Sequence, residues 1–212
     1  MSAYSNNFVR LMIEEEVLQF GEFVLKSGRS SPYFFNLGRM DNARAITALG
    51  RAYAEKIVES GIEFDILYGP AYKGIPIAVT TAIALFEDHG INAGITFNRK
   101  EAKQHGEGGN LIGHELRGKV LILDDVITAG TAIRESLEFI AKSKAVLSGI
   151  ILAMDRQELA ANGRTALVSM ALEQGIPVHS IANLEHVIAY MNESGQDVDL
   201  LNKLESHSAV YC

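Results

Sequence analysis

Along this chain, short uninterrupted apolar runs alternate with longer segments whose apolar positions return every three or four residues. That alternation predicts strands between helices. Residues 5–19 place Phe8, Leu11, Met12 and Leu18 on one side of an amphipathic helix, with Glu14-Glu15-Glu16 as a solvated face. Glu22–Lys26 and Pro32–Asn36 read as short strands joined by the turn Ser27–Ser31. From Ala43 the order becomes regular. Helix Ala43–Ser60 is stopped by Gly61, and strand Phe64–Tyr68 and loop Gly69–Gly74 follow; helix Ile75–His89, stopped by Gly90, then leads to strand Ile91–Phe97. Residues 98–119 show no apolar period and read as a long loop. A strand at Val120–Leu123, helix Ala132–Ser143, strand Val146–Met154, helix Thr165–Gln174 and strand Val178–Ala182 come next. Helices near 184–193 and 197–205, the last capped by Asp197 and Asp199, complete the order. The expected fold is α/β, a mostly parallel central sheet flanked by helices. No repeat or linker divides it, so 1–212 reads as one domain. The first 40 residues and part of the C-terminal segment are expected to form a small hood over the strand ends.

The run Val120–Ala132, VLILDDVITAGTA, carries the most chemistry. Val120, Leu121, Ile122 and Leu123 are apolar without alternation, as a parallel strand covered on both faces requires. Asp124 and Asp125 fall at its C-terminal end, where open α/β sheets place ligands. Thr128, Ala129, Gly130 and Thr131 are small enough to turn their backbone N–H groups into one concavity. The following helix adds the positive end of its dipole, which makes a seat for a phosphate. Acids for vicinal hydroxyls beside a phosphate seat suit a ribose 5-phosphate.

Three further constellations accompany it. Gly69-Pro70-Ala71-Tyr72-Lys73-Gly74 has the same strand–loop–helix context, with Lys73 as a compact positive charge. Asn98–Gly109, NRKEAKQHGEGG, gathers Arg99, Lys100, Lys103 and His105 in a polar, glycine-ended segment suited to a mobile lid over an anion. Lys26, Phe34 and Phe35 in the first part of the chain, and Arg156 after strand Val146–Met154, offer a cation, ring faces and a planar guanidinium fork. Each of these alone has a plainer reading: an ordinary turn with a solvated lysine, a solvated charged loop, phenylalanines in a core, and an arginine paired with Asp155.

Composition narrows the setting. Hydrophobic residues make up 48% and charged ones 21%, a globular balance with no run long enough to span a bilayer. The net charge of −7 argues against nonspecific nucleic-acid binding, although the cations of 99–105 are clustered. The start, MSAYSNNFVRLMIEEE, does not read as a secretory signal. Cys212 is the only cysteine, which excludes an internal disulfide and fits a reducing, cytoplasmic compartment. His89, His114, His179, His186 and His207 show no metal-ligand spacing, and His179 and His186 read as structural.

Residues 120–132 closely resemble the phosphoribosyl-pyrophosphate (PRPP) motif of the type I phosphoribosyltransferases. Lys26, Ser31-Pro32-Tyr33-Phe34-Phe35-Asn36, Arg99–His105 and Ala153-Met154-Asp155-Arg156-Gln157 resemble that family's orotate branch. The resemblance spans the whole chain in length and motif order. It implies transfer of the 5-phosphoribosyl group from PRPP to orotate, giving orotidine 5′-monophosphate and pyrophosphate, with Mg²⁺ carried mainly by PRPP and water. By the same resemblance Lys26, Tyr72, Lys73, Arg99, Lys100, Lys103, His105, Asp124 and Asp125 contact PRPP. Val126, Ile127, Thr128, Ala129, Gly130, Thr131 and Ala132 complete that set. Lys26, Phe34, Phe35, Thr128 and Arg156 contact orotate, and Lys103, Asp125, Lys26 and Lys100 carry the catalysis. In that family the pyrophosphate loop holds a cis peptide, here expected at Ala71–Tyr72. The family's basic loop also reaches a neighbouring subunit, which implies a homodimer. A transferase for another base, such as a purine, and a regulator retaining the PRPP fold are the competing readings. The carboxylate-matching cations speak against the first, and the acidic total and intact basic lid against the second.

Overall fold

The computed structural model describes residues 3–25, 28–103, 109–127, 130–195 and 197–212, leaving aside the side chains of 3, 4, 102, 103 and 109. The chain begins with α1 (Ala3–Glu14) and an antiparallel pair, β1 (Leu18–Val24) and β2 (Ser30–Phe35). The expected helix over 5–19 therefore stops at Glu14. Val17 and Leu18 are buried, but in the approach to a strand rather than on a helix face. Of the three acids only Glu14 is on a solvated helix face, 3.8 Å from Arg10 on α1, while Glu15 and Glu16 lie beyond the helix. Glu15 receives Arg44 and Asn42, and Glu16 pairs with Arg39, so these two acids fasten the α1–β1 corner to the segment that follows.

The remainder is the regular α/β alternation: α2 (Ala43–Ser60), β3 (Ile66–Gly69), α3 (Gly74–His89), β4 (Gly94–Lys103), β5 (Gly109–Gly113), β6 (Arg117–Asp124), α4 (Thr131–Ala141), β7 (Lys144–Asp155), α5 (Ala166–Gln174), β8 (Val178–Asn183), α6 (Leu184–Ser194) and α7 (Val198–Tyr211). Helix ends follow local chemistry. Asn42 caps α2 by accepting from the Ala45 N–H, Asp197 caps α7 by accepting from Leu200 N–H, and Gly61 and Gly90 end α2 and α3 in the left-handed conformation.

The main sheet runs β5-β4-β3-β6-β7-β8, parallel except for the β4–β5 pair. Along β6 the pleat sends Leu121 and Leu123 into a core with α2 and α3, and Val120 and Ile122 into a second core with Ile133 and Ile140 of α4 and Met170 of α5. All four are fully buried, which is why the sequence shows no polar alternation there. The order also fixes the site. From β3 the chain moves outward to β4; from β6 it moves the opposite way to β7. The crevice beyond the C-terminal ends of β3 and β6 is thus the topological switch point of the sheet.

The segment expected as a loop over 98–119 is largely strand. Asn98 to Lys103 prolong β4, Gly109–Gly113 form β5 against it, and Arg117–Lys119 open β6. Cross-strand hydrogen bonds hold such a ribbon with polar residues at most positions, Asn98 buried among them, so it leaves no apolar period in the sequence.

Candidate active site

Two loops meet at the switch point. Because Tyr68 and Ile122 are register partners, the turns leaving β3 and β6 are neighbours. The first turn is closed on itself: a Cβ on Gly69 would lie 2.1 Å from the Gly74 carbonyl oxygen, and one on Gly74 would lie 2.6 Å from Pro70 Cδ. Only glycine permits this approach. The Ala71–Tyr72 bond is cis, as expected, and Asn98 Oδ1 accepts from Ala71 N–H at 2.9 Å. Tyr72 is exposed, with the Lys100 ammonium 5.5 Å from its ring centroid.

From this turn Lys73 Nζ reaches Asp125 Oδ2 at 2.7 Å. The two acids are almost wholly buried. Asp124 Oδ1 accepts from the Asp125 N–H, Asp125 Oδ1 accepts from the Val126 N–H, and Tyr53 Oη donates to the Asp124 carbonyl at 2.7 Å. Asp125 O accepts from Ala153 and Met154 N–H groups of β7, so the backbone of the acid pair is fixed from two strands. Burial, then the neighbouring Asp125 charge, push the Asp124 carboxyl up to about 7. Two acids held dry at a strand end suit a ligand that donates hydrogen bonds, as vicinal hydroxyls do.

Beyond them, Val126 is half-buried, and the Ile127 side chain lies in the second core, so Ile127 can meet a ligand only through its backbone. Gly130, at φ 70, is the N-cap of α4 and supplies no side-chain acceptor to the helix N–H groups. Thr131 and Ala132 form the first turn of α4. That uncapped end is an anion seat beside the acids. Thr128 and Ala129 lie outside the described residues.

The other expected residues divide. Arg99 and Lys100 stand on β4, Lys103 ends it, and His105 lies outside the described residues, as does Lys26. On β2 the pleat alternates: Tyr33 and Phe35 point into the core, while Phe34 is exposed and stacks on Phe23 at 5.5 Å between centroids. Phe35 is therefore a core residue. Arg156 does not pair with Asp155. Its guanidinium covers the Tyr33 ring at 4.3 Å and bonds Glu158 Oε1 through Nε at 3.0 Å. Tyr53 and Glu158 escaped sequence reasoning, and Tyr33 and Asn98 entered it only as members of their runs, without roles of their own. They act by contacts over long separations or around a loop corner, and no spacing encodes those.

The fold, the paired acids, the lysine turn and the uncapped helix together define a phosphoribosyltransferase. Residues 37–179 match the profile described as the phosphoribosyl transferase domain. The chain is 51% identical over 211 residues to the orotate phosphoribosyltransferase of Vibrio cholerae, covering 100% of this chain and 99% of that one. It is likewise 51% identical over 211 residues to the enzyme of that name from Pseudomonas aeruginosa, with the same coverage. The crystal structure of orotate phosphoribosyltransferase from Francisella tularensis superposes with a TM-score of 0.86 at 36% identity, over 97% of this chain and 98% of that one. The chain belongs to the orotate phosphoribosyltransferase family, whose members move the phosphoribosyl group of PRPP onto orotate in pyrimidine biosynthesis.

Proposed function

We propose the following division of labour for transfer of the 5-phosphoribosyl group from PRPP to orotate. The observation that carries it is the meeting of Lys73 with the buried Asp124–Asp125 pair, 2.7 Å from Lys73 Nζ to Asp125 Oδ2, beside the uncapped end of α4. Asp124 and Asp125 hold the ribose hydroxyls, with Tyr72 at the rim of the same pocket. Backbone groups of residues 126–132 seat the 5′-phosphate, Thr128 and Ala129 among them. The pyrimidine nitrogen bonds to C1′ as the C1′–O bond to pyrophosphate breaks and the leaving group takes the electron pair, while the proton of that nitrogen passes to pyrophosphate or to solvent. The transition state is ribosyl-cation-like, similar in kind to glycoside cleavage, and Asp125 lies where it opposes that charge. Lys73, Arg99, Lys100, Lys103 and His105 neutralise pyrophosphate, and Lys26 serves both pyrophosphate and base. Arg156 anchors the orotate carboxylate, with Phe34 as a ring face.

Mg²⁺ fits this chemistry. Among the described residues no group of three or more His, Cys, Asp or Glu side chains is placed to hold a metal ion. Asp124 and Asp125 would offer hard carboxylate oxygens to a cation that keeps its waters and prefers phosphate oxygens, as one carried by PRPP would. When bound, it supplies further neutralisation of the leaving pyrophosphate. The working unit is a homodimer whose basic ribbon serves the neighbouring subunit. Supporting this, α3 exposes Ile83 (52%) and Phe86 (62%) on adjacent turns, and large apolar side chains grouped on one helix face are characteristic of an interface. The enzyme works in the cytoplasm, without membrane or nucleic acid; no helix among the described residues is long and apolar enough to cross a membrane.

The test is loss of orotate absorbance on adding PRPP and Mg²⁺ to purified protein, with adenine, hypoxanthine and uracil in parallel. PRPP-dependent consumption of orotate, abolished by EDTA, is expected. Consumption of another base instead overturns the assignment of Arg156.

A further inference from the structure

Arg156 follows β7 directly, and its side chain is only 11% exposed. Beyond the stacking on Tyr33, Nη2 donates to Glu158 Oε1 at 2.5 Å and to Ser31 Oγ at 3.2 Å, while Nε donates to the same Glu158 oxygen. Glu158 thus grips one edge of the guanidinium, Nε and Nη2. Among the described residues Nη1 makes no hydrogen bond, and it is the part of the fork left for another carboxylate.

The grip is itself braced. His207 Nε2 of α7 lies 3.4 Å from Glu158 Oε1, and His207 packs edge-on against Tyr33. The Leu159 N–H donates to the Tyr211 carbonyl at 2.6 Å, and Arg29 Nη2 donates to the Leu159 carbonyl at 3.1 Å. Between the two charged residues Gln157 adopts φ 58, a conformation that side-chain-bearing residues seldom take. It is held there because its N–H donates to Asp155 Oδ1 and its Oε1 accepts from Glu185 N–H, both at 2.9 Å. The loop 155–159 is clamped from β7, α6, α7 and the first hairpin.

We propose that Glu158 is a positioning residue: it locks the Nε–Nη2 edge of Arg156 so that Nη1 faces the substrate carboxylate, and so sets affinity for orotate rather than the rate of transfer. The proposal rests on the reading of Arg156 as the carboxylate anchor. Without the grip, a long side chain must be ordered at the moment of binding, and that cost appears in KM for orotate. Glu158 also subtracts charge from the guanidinium, and Glu158→Gln separates the two effects by keeping an oxygen acceptor for Nε while removing the charge.

Steady-state kinetics on five variants test this. Glu158→Ala is expected to raise KM for orotate about tenfold, the scale of one misaligned charge-assisted hydrogen bond, with kcat and KM for PRPP within about twofold. Glu158→Gln is expected to return KM for orotate to within about threefold of the parent, since neutral acceptors retain roughly half the bond. Should the alanine variant not fold, Glu158→Asp carries the same expectation, because its carboxylate is withdrawn by one methylene. Arg156→Ala is expected to raise KM for orotate while leaving PRPP binding nearly intact, and Glu158→Ala in that background is expected to add nothing. An unchanged KM for orotate in Glu158→Ala, an equal rise for both substrates, a glutamine variant as impaired as alanine, or additive effects in the double variant each overturn the proposal. An Arg156→Ala variant with unchanged KM for orotate overturns the reading of Arg156 itself, and the proposal with it.

Discussion

Asp124 shows how the site is assembled at the cost of stability. Its carboxyl, raised from its ordinary 3.8 to about 7 by burial and by Asp125, keeps a proton in the folded chain that the unfolded chain releases. The sign follows: the folded state is fully favoured below about pH 4 and loses stability as pH rises toward 7, by up to about 4 kcal/mol at 1.4 kcal/mol per unit. Asp124→Asn removes that titration. In thermal melts without ligand its Tm is expected to gain on the parent progressively between about pH 4 and 7 and to hold the gain above that, since the amide cannot ionise. A constant Tm difference across that range would mean that Asp124 does not titrate there. At the same scale, the role proposed for Lys103 in leaving-group chemistry can be tested. Lys103→Ala is expected to lower kcat far more than PRPP affinity, because its charge matters most as pyrophosphate departs. Single-turnover rates against PRPP Kd check this, and an unchanged kcat removes Lys103 from catalysis.

Among the elements, the turn between β3 and α3 tolerates substitution poorly. Gly74 begins α3 with its Cα hydrogens facing Pro70 and Gly69, at distances no Cβ can share. Gly74→Ala must push Pro70 or Gly69 aside and thereby displace Lys73 from Asp125. We expect a loss of PRPP affinity of more than about tenfold together with a Tm lowered by several degrees, as a strain of 1–3 kcal/mol implies. Isothermal titration with PRPP and a thermal melt read the two effects. The sequence showed this loop and its lysine plainly, since Gly, Pro and Gly punctuate it. It showed the β4–β5 ribbon poorly, because a strand pair whose buried positions include the polar Thr96 and Asn98 is held by cross-strand hydrogen bonds rather than marked by apolar spacing. The same holds for Glu15 and Glu16, whose partners Arg39, Asn42 and Arg44 are distant in sequence.

For the whole molecule, α3 joins the two halves of the proposal: its N-terminus carries the lysine turn and its exposed face carries Ile83 and Phe86. If that face is the dimer contact, Phe86→Glu buries a charge without a partner and favours the monomer. Sedimentation velocity is expected to show the parent as a dimer and Phe86→Glu shifted to monomer. Activity is expected to fall with the dimer and to recover as protein concentration is raised. A monomeric parent with full activity would remove both the dimer and the shared ribbon.

What the sequence determined alone was local: the order of strands and helices apart from β5, the glycine stops, the two loops after β3 and β6, and the acids and cations in them. These depend on neighbours a few residues away, where backbone preference and apolar spacing act directly. Tertiary structure decided which loops meet. The sheet order sets β3 beside β6, bringing Lys73 to Asp125 across 52 positions. It also decided that Phe35 turns inward and Phe34 outward, and that Arg156 answers to Glu158 with His207 behind it. Such contacts follow from which faces are buried together, and burial is a property of the packed chain rather than of any segment within it.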